Sequence, residues 1–339
     1  MASGKVARRT VVTDVAAILD SPEVAALIEQ LGEIGSPRGR KGYGARALFG
    51  ACLIKSLFAL PTWTFVAALI AEHPGMQEAL GGCPSVWAMY RFSVKLRQHH
   101  AALDACIDRI VESLHEQYPE LGKDVAIDAS DMPAFANGQR YVSNGGRLRE
   151  RYSDPDASWG HRSAVSTRKG GGFYGYKLDL AVCTRTGLPL AWQARTARHN
   201  ESMFVTTLLD KLAARGFQPE TCAMDKGYDN ERVHSECEER GVHPVVPLRG
   251  AKSKQPTIPL DMPRATRLFP RIARHTDEFR SLYRRRAAVE REFGRLKHEY
   301  GLAPLRVRRV NRVQLHADLC ILARLALELH RAQEIPIAA

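Results

Sequence analysis

This sequence predicts an α/β fold, a mixed sheet flanked by helices, preceded by an all-helical segment. Three observations carry the prediction. Apolar residues recur at helical spacing through residues 1–118, with no strand pattern among them. Two period-two runs (Tyr176, Leu178, Leu180, Val182 and Leu188, Leu190, Trp192, Ala194) flank the turn TRTG and read as a hairpin. Beyond the hairpin, helical and strand-like segments alternate as far as a long basic helix.

The helical part holds VAALIEQL, ARALFGACLIKSLFAL, TFVAALIAEH, VWAMYRFSVKLRQ and AALDACIDRIVESLHEQY, interrupted by the basic loop SPRGRKG at 36–42. The helices around Ala67 and Arg91, joined by GGCPS, read either as a helix-turn-helix or as part of a plain bundle. In the first case Arg91 and Lys95, four apart on one face, meet DNA. In the second they are a solvated basic face. From Lys123, DVAIDAS reads as a short apolar strand ending in Asp128, followed by a polar stretch rich in Arg and Gly up to Gly172. After the hairpin come a helix (Met203 to Ala214), a strand (TCAM) leading into Asp225, a helix (Asn230 to Arg240) and a strand (HPVVPL). A Pro- and Lys-containing link at 249–266 leads to the basic helix. This order is that of a ribonuclease-H-like layer, which holds its chemistry at strand ends. The expected division is a helical domain at 1–118 and a catalytic domain at 119–335.

Composition bounds the function. The chain has 339 residues, a net charge of +12 and 45% hydrophobic residues, which suits a globular protein with a polyanionic partner. From Arg264 to Arg312 there are fifteen Lys/Arg against five Asp/Glu, so most of the excess lies in the basic helix. Seven scattered cysteines without CxxC or Cys/His spacing indicate neither a zinc site nor a disulfide framework and fit a reducing compartment. The N-terminus lacks a signal-peptide core. The longest uncharged run, Ser56 to Ala71, is interrupted by Pro61 and is shorter than the roughly 18–20 residues of a membrane span. No membrane association is expected.

Asp128 and Asp225 stand out because a strand terminus fixes the backbone and hence the carboxylate, although Asp is also common at turns and caps. Asp179, beside Lys177, reads as a solvated strand residue, Asp229 as a helix cap and Asp131 as a turn former. On a helix advancing about 100° per residue, Tyr283, Arg286, Glu290 and Lys297 share one polar stripe. Leu282, Val289, Phe293 and Leu296 form the docking stripe. Arg284, Arg291 and Arg295 make a separate basic face, and Glu292 pairs locally with arginines. Among the rest, Asn200 or Ser202 reads as a helix cap near His199, and Trp192 as core. Tyr228 reads equally as a packed turn residue or a base-stacking one.

The spacing Tyr283-x2-Arg286-x3-Glu290-x6-Lys297 resembles the signature of bacterial insertion-sequence DDE transposases. VAIDAS, YGYKLDLAV, TGLPLAW, RHNES and MDKGYDN are similar to neighbouring segments of that family. The resemblance covers residues about 120 to 325. It departs at Ala129-Ser130, where family members often have Gly-Thr. The resemblance implies a ribonuclease-H-like core in which Asp128, Asp225 and Glu290 are catalytic, metal-binding acids for Mg²⁺, with Mn²⁺ as substitute. Tyr283, Arg286 and Lys297 would hold phosphates near the scissile bond, with Arg284, Arg291 and Arg295 extending the track. The tract RVRRVNR at 306–312 either joins them or begins a solvated helix. The implied partners are double-stranded DNA, as element ends and target, and a second copy when assembled on DNA. The implied location is the bacterial cytoplasm, at the nucleoid when DNA is bound. The implied activity is hydrolysis at an element end followed by joining of its 3′-hydroxyl to target DNA. The alternatives are a catalytically idle DNA-binding protein that keeps the fold, and a metal-dependent nuclease without strand transfer.

Overall fold

A computed structural model describes residues 10–33, 42–142, 149–162, 169–249, 267–268 and 270–334. The expected loop at 36–42 (apart from Gly42) and the link at 249–266 (apart from Arg249) lie outside them. The chain divides into two compact units. One takes in the chain up to Gln117, His298–Leu302 and everything from Leu315 onward; the other is Tyr118–Lys297 with Ala303–Gln314.

The helical unit contains α1 (Val11–Asp20), α2 (Pro22–Glu33), α3 (Ala45–Leu57), α4 (Trp63–Glu72), α5 (Pro74–Leu80), α6 (Val86–Gln98) and α7 (His100–Gln117). Thr10, Thr62 and Ser85 start α1, α4 and α6 by accepting a backbone N–H in the first turn. GGCPS does not join α4 to α6, because α5 intervenes. Pro74 can occupy a first helical turn, where its missing N–H costs nothing, and Gly81 ends α5 in the left-handed region at φ 71°. Arg91 is exposed, whereas Lys95 donates to the Leu31 carbonyl at 3.2 Å.

The second unit is built on a mixed sheet. Its strands are β1 (Asp124–Pro133), β4 (Ser158–Arg162), β5 (Gly171–Cys183), β6 (Pro189–Thr196), β7 (Thr221–Ala223) and β8 (His243–Val245). A separate pair, β2 (Arg140–Val142) and β3 (Arg149–Tyr152), is antiparallel. These short polar strands and β4 lie in the stretch that carried no strand signal. The expected hairpin is β5 and β6, and its turn ends on Gly187 at φ 74°. Hydrogen bonding runs β6–β5–β1–β7–β8, with β5 antiparallel to both β1 and β6, β7 parallel to β1, and β8 parallel to β7. Its helices are α8 (Val205–Ala214), entered through a 3-10 turn Glu201–Phe204, then α9 (Glu231–Glu239), α10 (Asp277–Arg284) and α11 (Ala287–His298); α12 (Val310–Glu334) starts in this unit but from Leu315 onward belongs to the helical one. This mixed sheet flanked by helices is the ribonuclease-H-like arrangement, as the sequence predicts.

Two further expectations are corrected in the second unit. The basic segment is not one helix: the Arg285 and Arg286 amides bond three residues back, to Leu282 and Tyr283, and the tight turn separates α10 from α11. Nor does β1 end at Asp128. It runs on to Pro133 because the long strand β5 supplies partners as far as Pro133↔Gly175, while β7 pairs with β1 only up to Ala126↔Ala223.

Candidate active site

Asp128 and Asp225 each lie two residues beyond the last paired position of β1 and β7. The parallel register therefore puts both residues two steps past the same pair, Asp128 still on β1 and Asp225 just beyond the end of β7. Asp128 remains held on its other side by pairing opposite Leu180. Its Oδ1 accepts the Ala129 amide at 2.8 Å, and its Oδ2 accepts Arg286 Nη1 at 3.2 Å. Burial first, with nearby Asp225 and Glu201 adding to it, pushes the Asp128 carboxyl up to about 7, against the lowering effect of the Ala129 amide and Arg286. Asp225 caps the 3-10 turn Lys226–Tyr228, its Oδ1 accepting the Gly227 amide at 2.6 Å.

Glu290 stands in the first turn of α11 and is 55% exposed. Arg286, in the turn before α11, reaches both Glu290 Oε1 and Asp128, so one guanidinium joins the acid on the helix to the acid on the sheet. Tyr283 stacks on Phe279 at 6.1 Å between centroids, with Arg286 5.8 Å from its own ring. Lys297 donates to Ser130 Oγ at 2.6 Å and to the Asp131 carbonyl at 3.3 Å, which ties α11 to β1 just past Asp128. Thus three of the four stripe residues meet around β1 despite the helix break, and Tyr283 joins them through Arg286.

The basic face divides differently. Arg284 and Arg291 are exposed, but Arg295 Nη1 is 2.8 Å from Glu292, a side chain only 1% exposed. Of the docking stripe, Val289, Phe293 and Leu296 are buried and Leu282 is half-buried. Arg285 reaches Asp124 Oδ2 at 3.0 Å, and Asp124 Oδ1 accepts Thr221 Oγ1 at 2.7 Å, which fixes the start of β1 against the start of β7. In the 306–312 tract, Arg306 and Arg308 lie over the Phe135 ring at 5.5 and 5.4 Å, and the Arg309 amide donates to Asp154.

Asp179 is not solvated. It faces away from the apolar set, as alternation requires, but that face of β5 is covered as well. Arg195 Nε and Nη2 bond its two oxygens at 2.5 and 2.8 Å. Burial pushes the Asp179 carboxyl up, against these bonds. Nor does Asp229 cap α9, because Asn230 accepts the Val233 amide at the cap. Asp229 is buried instead and accepts the Arg249 amide at 2.7 Å and Arg267 at 3.0 and 2.8 Å. Burial alone would raise its carboxyl; the Arg267 and Arg249 hydrogen bonds outweigh it and the net direction is down. Asp131 lies within β1, not at a turn. Asn200 caps the turn before α8 by accepting the Ser202 amide, and Tyr228 is fully buried.

Glu201, in the RHNES segment, lies beside these residues. Its Oε2 accepts Lys177 Nζ at 2.7 Å. A β-carbon on Gly227 would lie 2.8 Å from Asp225 Oδ1 and 3.5 Å from Glu201 Oε1. The absent side chain leaves a cradle between two carboxylates.

Among the described residues, no three His, Cys, Asp or Glu side chains gather as a metal-holding group. The donor chemistry still suits a hard divalent cation. Asp128 and Asp225 are carboxylates two residues past the last β1–β7 pair, each held by a backbone amide, and a cradle opens beside Asp225.

The mixed sheet flanked by helices defines a ribonuclease-H-like protein, with Asp128 and Asp225 just past the β1–β7 pairing. The chain belongs to the transposase DDE domain family, whose profile matches residues 120–326. No curated protein matches it. Among the described residues no helix is long and apolar enough to cross a membrane.

Proposed function

We propose that this transposase is an active, metal-dependent enzyme. It would cut DNA hydrolytically at the ends of its element and join the freed 3′-hydroxyl to target DNA, with Asp128, Asp225 and Glu290 as the catalytic acids. The observation that carries this reading is that Asp128 and Asp225 each follow by two residues the last pair of the parallel strands β1 and β7, with Glu290 joined to Asp128 through Arg286. The three carboxylates would hold Mg²⁺, or Mn²⁺ in its place. When bound, such ions activate an attacking water or hydroxyl and stabilise the leaving oxygen.

The remaining work falls to the chain's own residues. Arg286 neutralises Asp128 and Glu290 while no ion is present. Phosphate oxygens then compete for its guanidinium, which offers a planar fork suited to them. Lys297 fixes the Glu290 helix on β1, and Tyr283 orients Arg286 through its ring. Exposed Arg284 and Arg291 supply backbone contacts whose affinity falls with salt. Element ends are brought together by a pair of copies on DNA, in the cytoplasm at the nucleoid.

The test is a strand-transfer assay on DNA ending in the element's own inverted repeat, read from the sequence flanking the gene. Joined product with Mg²⁺ that disappears in Asp225→Ala, while DNA binding persists, supports the proposal. Binding without metal-dependent cleavage by the intact protein sinks it. Cleavage without joining reduces the activity to that of a nuclease.

A further inference from the structure

Lys177 is 12% exposed and Glu201 28% exposed, so their ion pair is withdrawn from solvent. Strand pairing places Lys177 opposite Asp131 on β1. Glu201 opens the 3-10 turn after β6, whose cap Asn200 is fixed by its bond from the Ser202 amide at 3.0 Å. With Oε2 on Lys177, Glu201 turns Oε1 toward Gly227. Asp225 Oδ1 lies on the far side of the same point. The two carboxylates can be no further apart than the 3.5 and 2.8 Å distances laid end to end. Glu201 is also close enough to Asp128 and to the buried Tyr228 to act on both electrostatically.

A surface ion pair does not account for this placement. The cap bond from the Gly227 amide to Asp225 Oδ1 at 2.6 Å accounts for the closeness of Asp225 to this glycine, but not for Glu201 Oε1 on its other side. Gly227 has no positive φ that would demand glycine, but a β-carbon there would press on Asp225 Oδ1. The glycine keeps open a space bordered by two carboxylates, and such a space attracts a hard cation or a water in its shell.

We propose that Glu201 is a fourth acid of the catalytic centre. It acts with Asp225 across the Gly227 cradle on the divalent cation or its water shell, and Lys177 holds Glu201 in place while no ion is bound. The proposal rests on the reading of Asp128 and Asp225 as metal-binding acids. No bond is made or broken by Glu201 itself. Its contribution is charge and orientation, of the kind whose loss typically weakens metal affinity about 10- to 100-fold.

The test is Mn²⁺ binding to the full chain without DNA, followed by loss of the free-ion electron paramagnetic resonance signal, with metal-free melting as the control for folding. Glu201→Gln is expected to weaken Mn²⁺ binding at least about tenfold at unchanged melting, and Glu201→Asp to recover part of it. Lys177→Gln is expected to leave Mn²⁺ affinity unchanged or tighter, because it removes the competing cation. If Glu201→Gln and Lys177→Gln lower melting equally and both leave Mn²⁺ affinity alone, the pair is structural and the proposal is overturned. Asp225→Asn separates the two readings. If it loses Mn²⁺ while Glu201→Gln does not, only the role of Glu201 falls. If it binds Mn²⁺ as the wild type does, the metal reading falls and Glu201 falls with it.

Discussion

Removing the Asp179 carboxylate should be among the most damaging single changes in the sheet unit, although Asp179 is assigned no part in catalysis. The carboxylate is 2% exposed and its partner Arg195 is 4% exposed. Two charge-assisted bonds join them. Breaking one side of a buried pair leaves the other charge uncompensated, which costs about 3–5 kcal/mol. In a unit of this size that lowers the melting temperature by roughly 6–20 °C. Arg195→Ala should cost more than Asp179→Ala. Arg195 also donates to the His199 carbonyl at 2.8 Å and lies 4.3 Å from the Phe204 ring centroid, a cation–π contact of about 0.5–2 kcal/mol. The double variant should cost less than the two single changes together, because no charge is left stranded. Urea unfolding followed by tryptophan emission gives the three values, and hydrogen exchange at the β5 and β6 amides locates the loss. An Asp179→Ala change within about 0.5 kcal/mol of wild type, the range of surface substitutions, would refute the argument and return Asp179 to solvent. The pair also bears on the site: Arg195 grips His199 and Phe204, on either side of the turn that carries Glu201, so Arg195→Ala should blunt cleavage as well as stability.

The other expectations are brief. Glu290→Gln should change stability by less than about 0.5 kcal/mol and abolish cleavage, whereas Glu292→Gln, at a 1% exposed residue bonded to Arg295, should cost about 1–3 kcal/mol and leave cleavage largely intact. Matched melting and cleavage assays decide between them. Gly227→Ala should keep DNA binding and cost about 1–3 kcal/mol from overpacking, while lowering cleavage at saturating DNA; unchanged cleavage would mean that the cradle is not used. In the helical unit, His100 bridges Asp104 and Asp318 at 2.9 Å each, and hydrogen bonds to the two carboxylates raise it from 6.5 to about 10. A histidine raised on folding stabilises fully below its unfolded value and loses that contribution as pH rises through its folded one. The melting temperature of the wild type should therefore fall relative to His100→Gln between about pH 6.5 and 10, and parallel curves would contradict the bridge.

The hairpin, the alternation that follows it and the helical start were legible because each rests on a local period. What the sequence did not disclose depends on partners distant in the chain. Asp179 alternates as a solvent-facing residue, and only the hairpin register, which sets Asp179 opposite Gln193 with Arg195 two residues on, shows its face to be covered. Asp229 stands where a cap belongs, but Asn230 takes the cap and Asp229 turns inward to an arginine 38 residues away. The strands β2, β3 and β4 carry no apolar alternation, so nothing local separates them from a loop. Glu201 resembles an ordinary first-turn acid at a helix start. A glycine two residues after Asp225 was the available clue, and it becomes informative only once the two loops are seen to meet.

The helix break explains why the polar stripe survived an incorrect premise. A uniform advance of about 100° per residue puts four residues on one stripe, yet Arg286 lies in the turn between two helices. Its i−3 bond to Tyr283 and its i+4 contact to Glu290 preserve the neighbourhood, because a 3-10 turn still brings residues three apart onto one side. The break changes the freedom of Arg286. Within a regular helix the side chain would follow the helix axis, whereas from the turn it reaches down to Asp128 on the sheet while still holding Glu290 on the helix. The position of Glu290 relative to the two strand aspartates is therefore set by Arg286 and Lys297, not by the helix alone. Replacing Arg286 with lysine would keep the charge but lose the fork that spans both acids, and the expected result is a larger loss in cleavage than in DNA binding. Equal losses in the two assays would show that Arg286 acts on phosphate alone.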